Sequence, residues 1–439
     1  MTSFEQNSRL LQRIKELELE NEILRGKISN DQTTIKEFPK IDSNFSLDEY
    51  KRYGRQMIVP EFGSLSSQIK LSDSIVLVVG AGGLGSPALQ YLSAAGIGSI
   101  GIIDDDIVDT SNLHRQIIHS TSTVGEFKCE SAKSFITKLN PHVHVTTYPT
   151  KLSNENAFEI IEQYDLVLDC TDHPAIRYLI NDVCVLLGKT IVSGSGLKSD
   201  GQFTILNFEN IGPCYRCFYP QPPNPSTVTS CSDGGVIGPA IGLVGTAMAM
   251  EAIKILTKFY TKDNFKPFLA SYSAYPNQQI RTFKMRPKQE NCLVCGRKKS
   301  ITKEQIKNGG INYVEFCGKV VIDPIDEKYR ISVQEYNDKI KNKQRHTLID
   351  VRPKEQYHIT NLPGSINIEW DPTFRKLDSL EEYMDSINKT DDIYLICRFG
   401  NDSQLAAKKL IDMGYKNVKE LKGGLNKWTD EIDQNIPKY

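Results

Sequence analysis

The sequence predicts an α/β protein with a mostly parallel sheet, followed by a second, smaller α/β unit. Three observations carry this. Short apolar runs rich in β-branched residues, at Ile75–Val79, Ser99–Ile103 and 165–169, read as strands buried on both faces. The first run meets Gly80, Gly82, Gly83 and Gly85 at once and then a helical pattern over 86–95. Strand, glycine turn and helix form the arrangement in which backbone N–H groups and a helix N-terminus hold a phosphate. The alternation of strands and helices runs to about residue 208 and resumes after 331, as a parallel sheet requires.

Composition sets the bounds. At 439 residues the chain has room for two domains, and a net charge of −1 supplies no basic field for nucleic acid. The most apolar long stretch, 236–256, contains Pro239, Glu251 and Lys254 and reads as a buried core helix rather than a membrane span. The first 30 residues are charged throughout, unlike a secretory signal. Ten cysteines without such a signal point to a reducing compartment, the cytosol, and to metal or catalytic thiols.

In order, Leu10, Leu17 and Leu24 stand at heptad spacing with Ile14, Asn21 and Ile28 as companions. That pattern fits a short coiled coil or a solvated helix that self-associates weakly. Residues 31–44 read as a linker, and 47–61 as a helix carrying Arg52 and Arg55. Beyond the glycine turn, the second strand ends in Asp104, Asp105 and Asp106, where a carboxylate can accept from ribose hydroxyls. The turn and acid alone suit NAD as well as ATP. Asp106, followed by Ser111, Asn112, Leu113, His114 and Arg115, favours a triphosphate attacked at its α-phosphate. A helix then starts around Lys128. Asp172 and His173 follow the strand 165–169, at the strand end where open α/β sheets bind ligands.

Cys214-x-x-Cys217 and Cys292-x-x-Cys295 match the two knuckles of a Zn(Cys)4 site. Between them Cys231 closes a Pro/Ser/Thr tract ahead of a helix N-terminus, a setting that favours thiolate and nucleophilic work. Cys317 lies in a charged stretch, 297–330, and carries no assigned role. In the second unit, 346–351 and 393–396 read as strands, with helices at 352–358 and 404–413. Cys397 sits on the loop between the last strand and helix, where backbone N–H groups can stabilise a thiolate or persulfide.

Together these motifs resemble the sulfurtransferase-fused, ubiquitin-activating-like enzymes, the molybdopterin-synthase sulfurylase group. The resemblance implies a coiled-coil helix and linker over 1–41 and a MoeB/ThiF-like adenylyltransferase domain over 42–298. A linker over 299–330 and a rhodanese domain over 331–439 would follow. It implies a Rossmann-like mixed sheet with one structural zinc per subunit, and ATP with Mg. Gly83 would lie against the nucleotide, Asp104 would hold the ribose and Asp106 would help place Mg. Ser111, Asn112, Leu113, His114 and Arg115 would run along the triphosphate with Lys128. Asp172 would stand near the α-phosphate beside His173, where the family has asparagine. Arg55 would reach across a homodimer into the neighbour's site. Cys397 would carry sulfur and Cys231 would take the acyl group as a thioester or cleave an acyl disulfide.

The implied activity is adenylation of the C-terminal glycine of a ubiquitin-like sulfur-carrier protein ending in Gly-Gly, then sulfur transfer to its thiocarboxylate. Its outlets would be tRNA wobble-uridine 2-thiolation and molybdenum-cofactor biosynthesis. A sulfane-sulfur donor such as a cysteine desulfurase is the second partner, with no direct contact to nucleic acid or membrane. The competing readings are an NAD-dependent oxidoreductase, an activating enzyme for conjugation alone and a non-catalytic scaffold. The oxidoreductase leaves the Ser111–Arg115 stretch and Cys397 without work.

Overall fold

The computed structural model describes residues 13–18, 20–22, 45–222, 234–297, 299–313, 325–370 and 387–439. It divides into Met1–Gly54 and Arg55–Tyr439. In the first unit residues 13–18 and 20–22 are helical, with Ile14 and Leu17 about half exposed. Leu10, Leu24 and Ile28 fall outside the described residues. The helix Leu47–Met57 opens on Ser46, whose N–H donates to Glu49 Oε2 at 2.8 Å while Glu49 N–H donates to Ser46 Oγ at 3.3 Å. This helix stops short of the predicted residue 61. Pro60 lacks an N–H and starts a 3₁₀ turn, which closes on Gly63 at φ 93°.

The second unit holds two sheets. The larger has the order β3-β2-β1-β4-β5-β6-β7-β8. Its strands are β1 (Ile75–Val79), β2 (Ser99–Ile103), β3 (His144–Tyr148), β4 (Leu166–Asp169), β5 (Thr190–Leu197), β6 (Asp200–Leu206), β7 (Phe268–Ser273) and β8 (Gln279–Lys284). The first five run parallel, with Ile75 opposite Ser99 and Val76 opposite Leu166. The last three are antiparallel. Strand order reverses between β1 and β4, which opens a crevice at their C-terminal ends.

Val76, Leu77 and Val78 are wholly buried, because both faces of β1 are covered; each such side chain contributes about 1.5–3 kcal/mol. Gly238–Leu256 is long and apolar enough to span a membrane, yet it packs on the helix Gly85–Ala95 and on β5 and β6 as a core helix. Its Glu251 is buried and accepts from Lys254 Nζ and the Tyr260 hydroxyl, both at 2.7 Å.

Within the stretch read as a linker, Ile301 and Ile306 are buried in the first domain's core, and the helix Lys303–Lys307 is capped by Thr302. Tyr313 follows, its hydroxyl donating to the buried Asp182 at 2.9 Å.

The smaller sheet is all parallel, in the order β11-β10-β12-β13-β9. Its strands are β9 (Arg330–Ile331), β10 (Thr347–Asp350), β11 (Ile366–Asn367), β12 (Asp392–Ile396) and β13 (Asn417–Leu421). The helix after β10 starts at Lys354, later than the sequence pattern implied, because Arg352 turns inward to pair with Asp350. The helix after β12 starts at Asp402.

Candidate active sites

The glycine turn is built by close approach. Gly80 sits at φ +97°, and a Cβ on Gly85 would lie 1.9 Å from the Gly80 carbonyl oxygen. Only glycine lets the helix start that near the strand end. Ala81 N–H donates to Asp104 Oδ2 at 2.7 Å and Asp106 N–H to Asp104 Oδ1 at 2.9 Å, so turn and acid form one unit. Burial raises the Asp104 pKa above the ordinary carboxylate value, against the pull of Lys128.

Lys128 is buried at the start of its helix and donates to Asp106 Oδ2 at 2.8 Å. Arg115 Nη2 donates to Asn112 Oδ1 at 2.6 Å, which fixes the guanidinium fork. Asp109 caps the intervening turn, accepting from Ser111 N–H at 2.7 Å, and the Ser111 hydroxyl and amide hold its carboxyl below the usual range. His173 serves as a helix cap, its Nδ1 accepting from Ala175 N–H at 3.3 Å.

A cleft of about 1360 Å³ lies over the ends of β1 and β4. Gly83, Asp104, Asp106, Asn112, Arg115, Lys128, Asp172 and His173 line it; Ser111, Leu113, His114 and Arg55 are not among its lining residues. Its wall also includes Lys151, Lys198 and Gln202, which no motif marks. Two further supports were missed because they act across long separations. His119 Nε2 donates to the Ala81 carbonyl at 3.0 Å, and burial lowers its pKa. Asp169 accepts from Thr171 Oγ1 at 2.7 Å and Ser193 Oγ at 2.8 Å, which holds the turn before Asp172.

Cys214, Cys217, Cys292 and Cys295 converge, with sulfur atoms within 4.8 Å of one another. The Cys214–Cys217, Cys214–Cys292 and Cys217–Cys295 separations are 3.8, 3.6 and 3.4 Å. A tetrahedral ion with ~2.3 Å bonds to sulfur sets its ligands about 3.8 Å apart, so the set fits a thiophilic metal. Cys214, Cys292 and Cys295 belong to the domain core, and none of the four cysteines lines the cleft. Cys231 and Cys317 fall outside the described residues.

Cys397 follows β12 and is 2% exposed. Gly400 N–H donates to its sulfur at 3.1 Å, and Ser403 Oγ lies 3.3 Å away. Leu425 N–H donates to the Cys397 carbonyl at 2.9 Å; a Cβ on Gly424 would strike that carbonyl at 2.3 Å. Burial and then the Asp402 carboxylate raise the thiol pKa, while Ser403 and loop amides oppose them.

The order of motifs extends over whole domains. Residues 53–294 match the ThiF family and residues 332–431 the Rhodanese-like domain. The chain belongs to the ThiF family. It joins the ThiF domain, which holds the cleft, to a rhodanese-like domain, which holds Cys397. The protein from Candida albicans named adenylyltransferase and sulfurtransferase UBA4 is 69% identical over 431 residues, 98% of each chain. Its namesake from Scheffersomyces stipitis is 62% identical, covering 99% of this chain and 100% of that one. The namesake from Saccharomyces cerevisiae strain YJM789 is 52% identical, over 97% of each. A crystal structure of E. coli MccB with MccA-N7isoASN matches at TM-score 0.50 and 22% identity, over 58% of this chain and 76% of that one. That likeness concerns the fold alone.

Proposed function

We propose that this ThiF-family chain adenylates the C-terminal glycine of a ubiquitin-like sulfur-carrier protein ending in Gly-Gly and converts it to a thiocarboxylate. The observation that carries the reading is the coexistence of two sites. One is a cleft whose Lys128–Asp106 and Arg115–Asn112 pairs face one space; the other is a buried cysteine cradled by backbone N–H groups. The names of the full-length relatives, adenylyltransferase and sulfurtransferase, agree with both halves.

In the first step the carrier carboxylate attacks the α-phosphorus of ATP, pyrophosphate leaves and an acyl-adenylate forms. Lys128 and Arg115 stabilise the charge that develops on phosphate oxygens. The Asp104, Asp105 and Asp106 oxygens form a hard-donor cluster within 4.8 Å, which fits magnesium, and Asp172 lines the same cleft. Bound there, the ion would neutralise phosphate charge. Arg55 lies outside the cleft lining, which suits the role of reaching a neighbour's site in a homodimer.

In the second step Cys397 thiolate attacks the outer sulfur of a donor persulfide. The donor leaves as a thiolate, and Cys397 persulfide results. Its terminal sulfur attacks the activated acyl group and AMP leaves. Cys231 either holds the acyl group first as a thioester or attacks Cys397 of the acyl disulfide, releasing the thiocarboxylate and leaving a disulfide that a thiol reductant reopens. Gly235, four residues beyond Cys231, accepts from Lys198 N–H at 2.9 Å, and Lys198 lines the cleft.

Zinc is the metal we assign to the four cysteines, with a structural role. No disulfide joins the eight described cysteines, which suits the cytosol. tRNA wobble-uridine 2-thiolation and molybdenum-cofactor synthesis are the outlets for the thiocarboxylate. The test incubates the protein with MgATP, a sulfane-sulfur donor and a diglycine-ended ubiquitin-fold partner and reads the partner's intact mass. Replacement of oxygen by sulfur is expected, and its absence in Cys397→Ala. No mass change and no ATP–pyrophosphate exchange with a competent partner would refute the reading.

A further inference from the structure

Cys397 is braced from behind by a second strand. Glu420 stands on β13, opposite Leu395 of β12, and its side chain is fully buried. One carboxylate oxygen accepts from Arg330 Nε at 2.5 Å, reaching in from β9 on the other side. The other oxygen lies 3.4 Å from Ser403 Oγ, which is itself 3.3 Å from Cys397 Sγ. Ser403 is wholly buried. A buried carboxyl is costly unless its oxygens are partnered, and sulfur transfer as laid out above makes no use of Glu420.

A hydroxyl has one hydrogen to give. At Ser403 two acceptors compete for it. While Cys397 is a thiol, the carboxylate paired with Arg330 is the stronger acceptor, and the weak S–H donor can face the Ser403 oxygen. Once Cys397 is a thiolate or a persulfide anion, the sulfur competes for the same hydrogen. Among the described residues, the other charged groups that act on the pair are Asp402, at the start of the helix after β12, and Lys422, just past the end of β13; Arg398 follows Cys397 in the chain. The Gly400 amide already donates to sulfur and is unaffected by the choice.

We propose that Glu420 is a positioning residue that acts through Ser403, drawing the hydroxyl away from Cys397 at rest and so setting how readily that sulfur becomes anionic. This rests on the reading of Cys397 as the sulfur carrier. Sulfur uptake then has a defined cost: the Cys397 proton leaves to solvent, Ser403 turns to the anion, and the thiolate displaces the donor's thiolate with no net change in oxidation state.

The test is the pH profile of iodoacetamide alkylation at Cys397 in the full-length chain, read by peptide mass. Restricted access of the reagent to the sulfur scales the rate alike at every pH, so the midpoint reads the titration of the thiol itself. Glu420→Gln is expected to move the midpoint down by about one pH unit, roughly a tenfold gain in thiolate where the native chain is mostly thiol. Ser403→Ala is expected to move it up, and in that background Glu420→Gln is expected to have no further effect. Equal shifts from Glu420→Gln in both backgrounds would reduce its role to charge acting through space and overturn the proposal. If Glu420→Gln does not fold because Arg330 loses its partner, Ser403→Ala decides alone, and an unchanged midpoint overturns it. Thiocarboxylate formation that survives Cys397→Ala overturns instead the reading on which the proposal rests.

Discussion

Replacing Lys128 by Met separates catalysis from folding at one residue. The Lys128 side chain is 7% exposed and its ammonium sits 2.8 Å from Asp106, whose side chain is 69% exposed. Methionine keeps the buried stem. The abandoned carboxylate is already solvated, so the lost pair costs under about 1 kcal/mol of stability. The charge lost from the cleft weighs more. A preorganised donor aimed at charge developing in the transition state is worth ~10²–10³ in rate, or about 3–4 kcal/mol. ATP–pyrophosphate exchange with a diglycine-ended partner should therefore fall by about two to three orders of magnitude. The thermal midpoint of the same preparation should move by only a few degrees. Exchange within about threefold of the native rate, which is under ~0.7 kcal/mol, would remove Lys128 from the reaction. A matching loss of structure would reduce it to a packing residue.

Gly85→Ala should abolish exchange and lower the thermal midpoint, because its Cβ would lie 1.9 Å from the Gly80 carbonyl oxygen. Gly82→Ala, whose Cβ would meet Gln116 Nε2 at an ordinary 3.6 Å, should leave that midpoint near native. Elemental analysis should find one zinc per chain, and Cys292→Ser should lose the metal and unfold at lower temperature, since one of four ligands is gone. His119 is the pH-sensitive support of the glycine turn. Burial holds its folded pKa below the ordinary imidazole value of about 6.5, so its stabilising contribution is present above that value and is lost as pH falls toward the folded pKa. Thermal melts between about pH 7.5 and 5.5 should show that decline, and His119→Gln should make it shallower.

The sequence by itself determined the elements whose chemistry is local. A β-branched run followed by glycines fixes strand, turn and helix, because Gly80 takes a positive φ and Gly85 stands where a Cβ would strike backbone. Paired CxxC knuckles announce their own geometry for the same reason, each pair being set by three residues of backbone. Cys397 was legible because a strand end followed by a helix start creates its cradle of N–H groups. The reach of Arg55 was read from resemblance and the nucleophilic role of Cys231 from its loop setting, and both stand as proposals. What only the tertiary structure decided are the contacts between distant segments. His119 reaches Ala81 across 38 residues of chain, and Asp169 reaches Ser193 because β4 pairs with β5. Glu420 comes to lie behind Cys397 because β13 pairs with β12, and nothing in its own stretch of sequence marks it. The antiparallel strands β6 to β8 and the burial of Ile301 and Ile306 belong to the same class. Local pattern fixes what a segment can form; which buried polar groups meet depends on strand order, and that is set by the packing of the whole core.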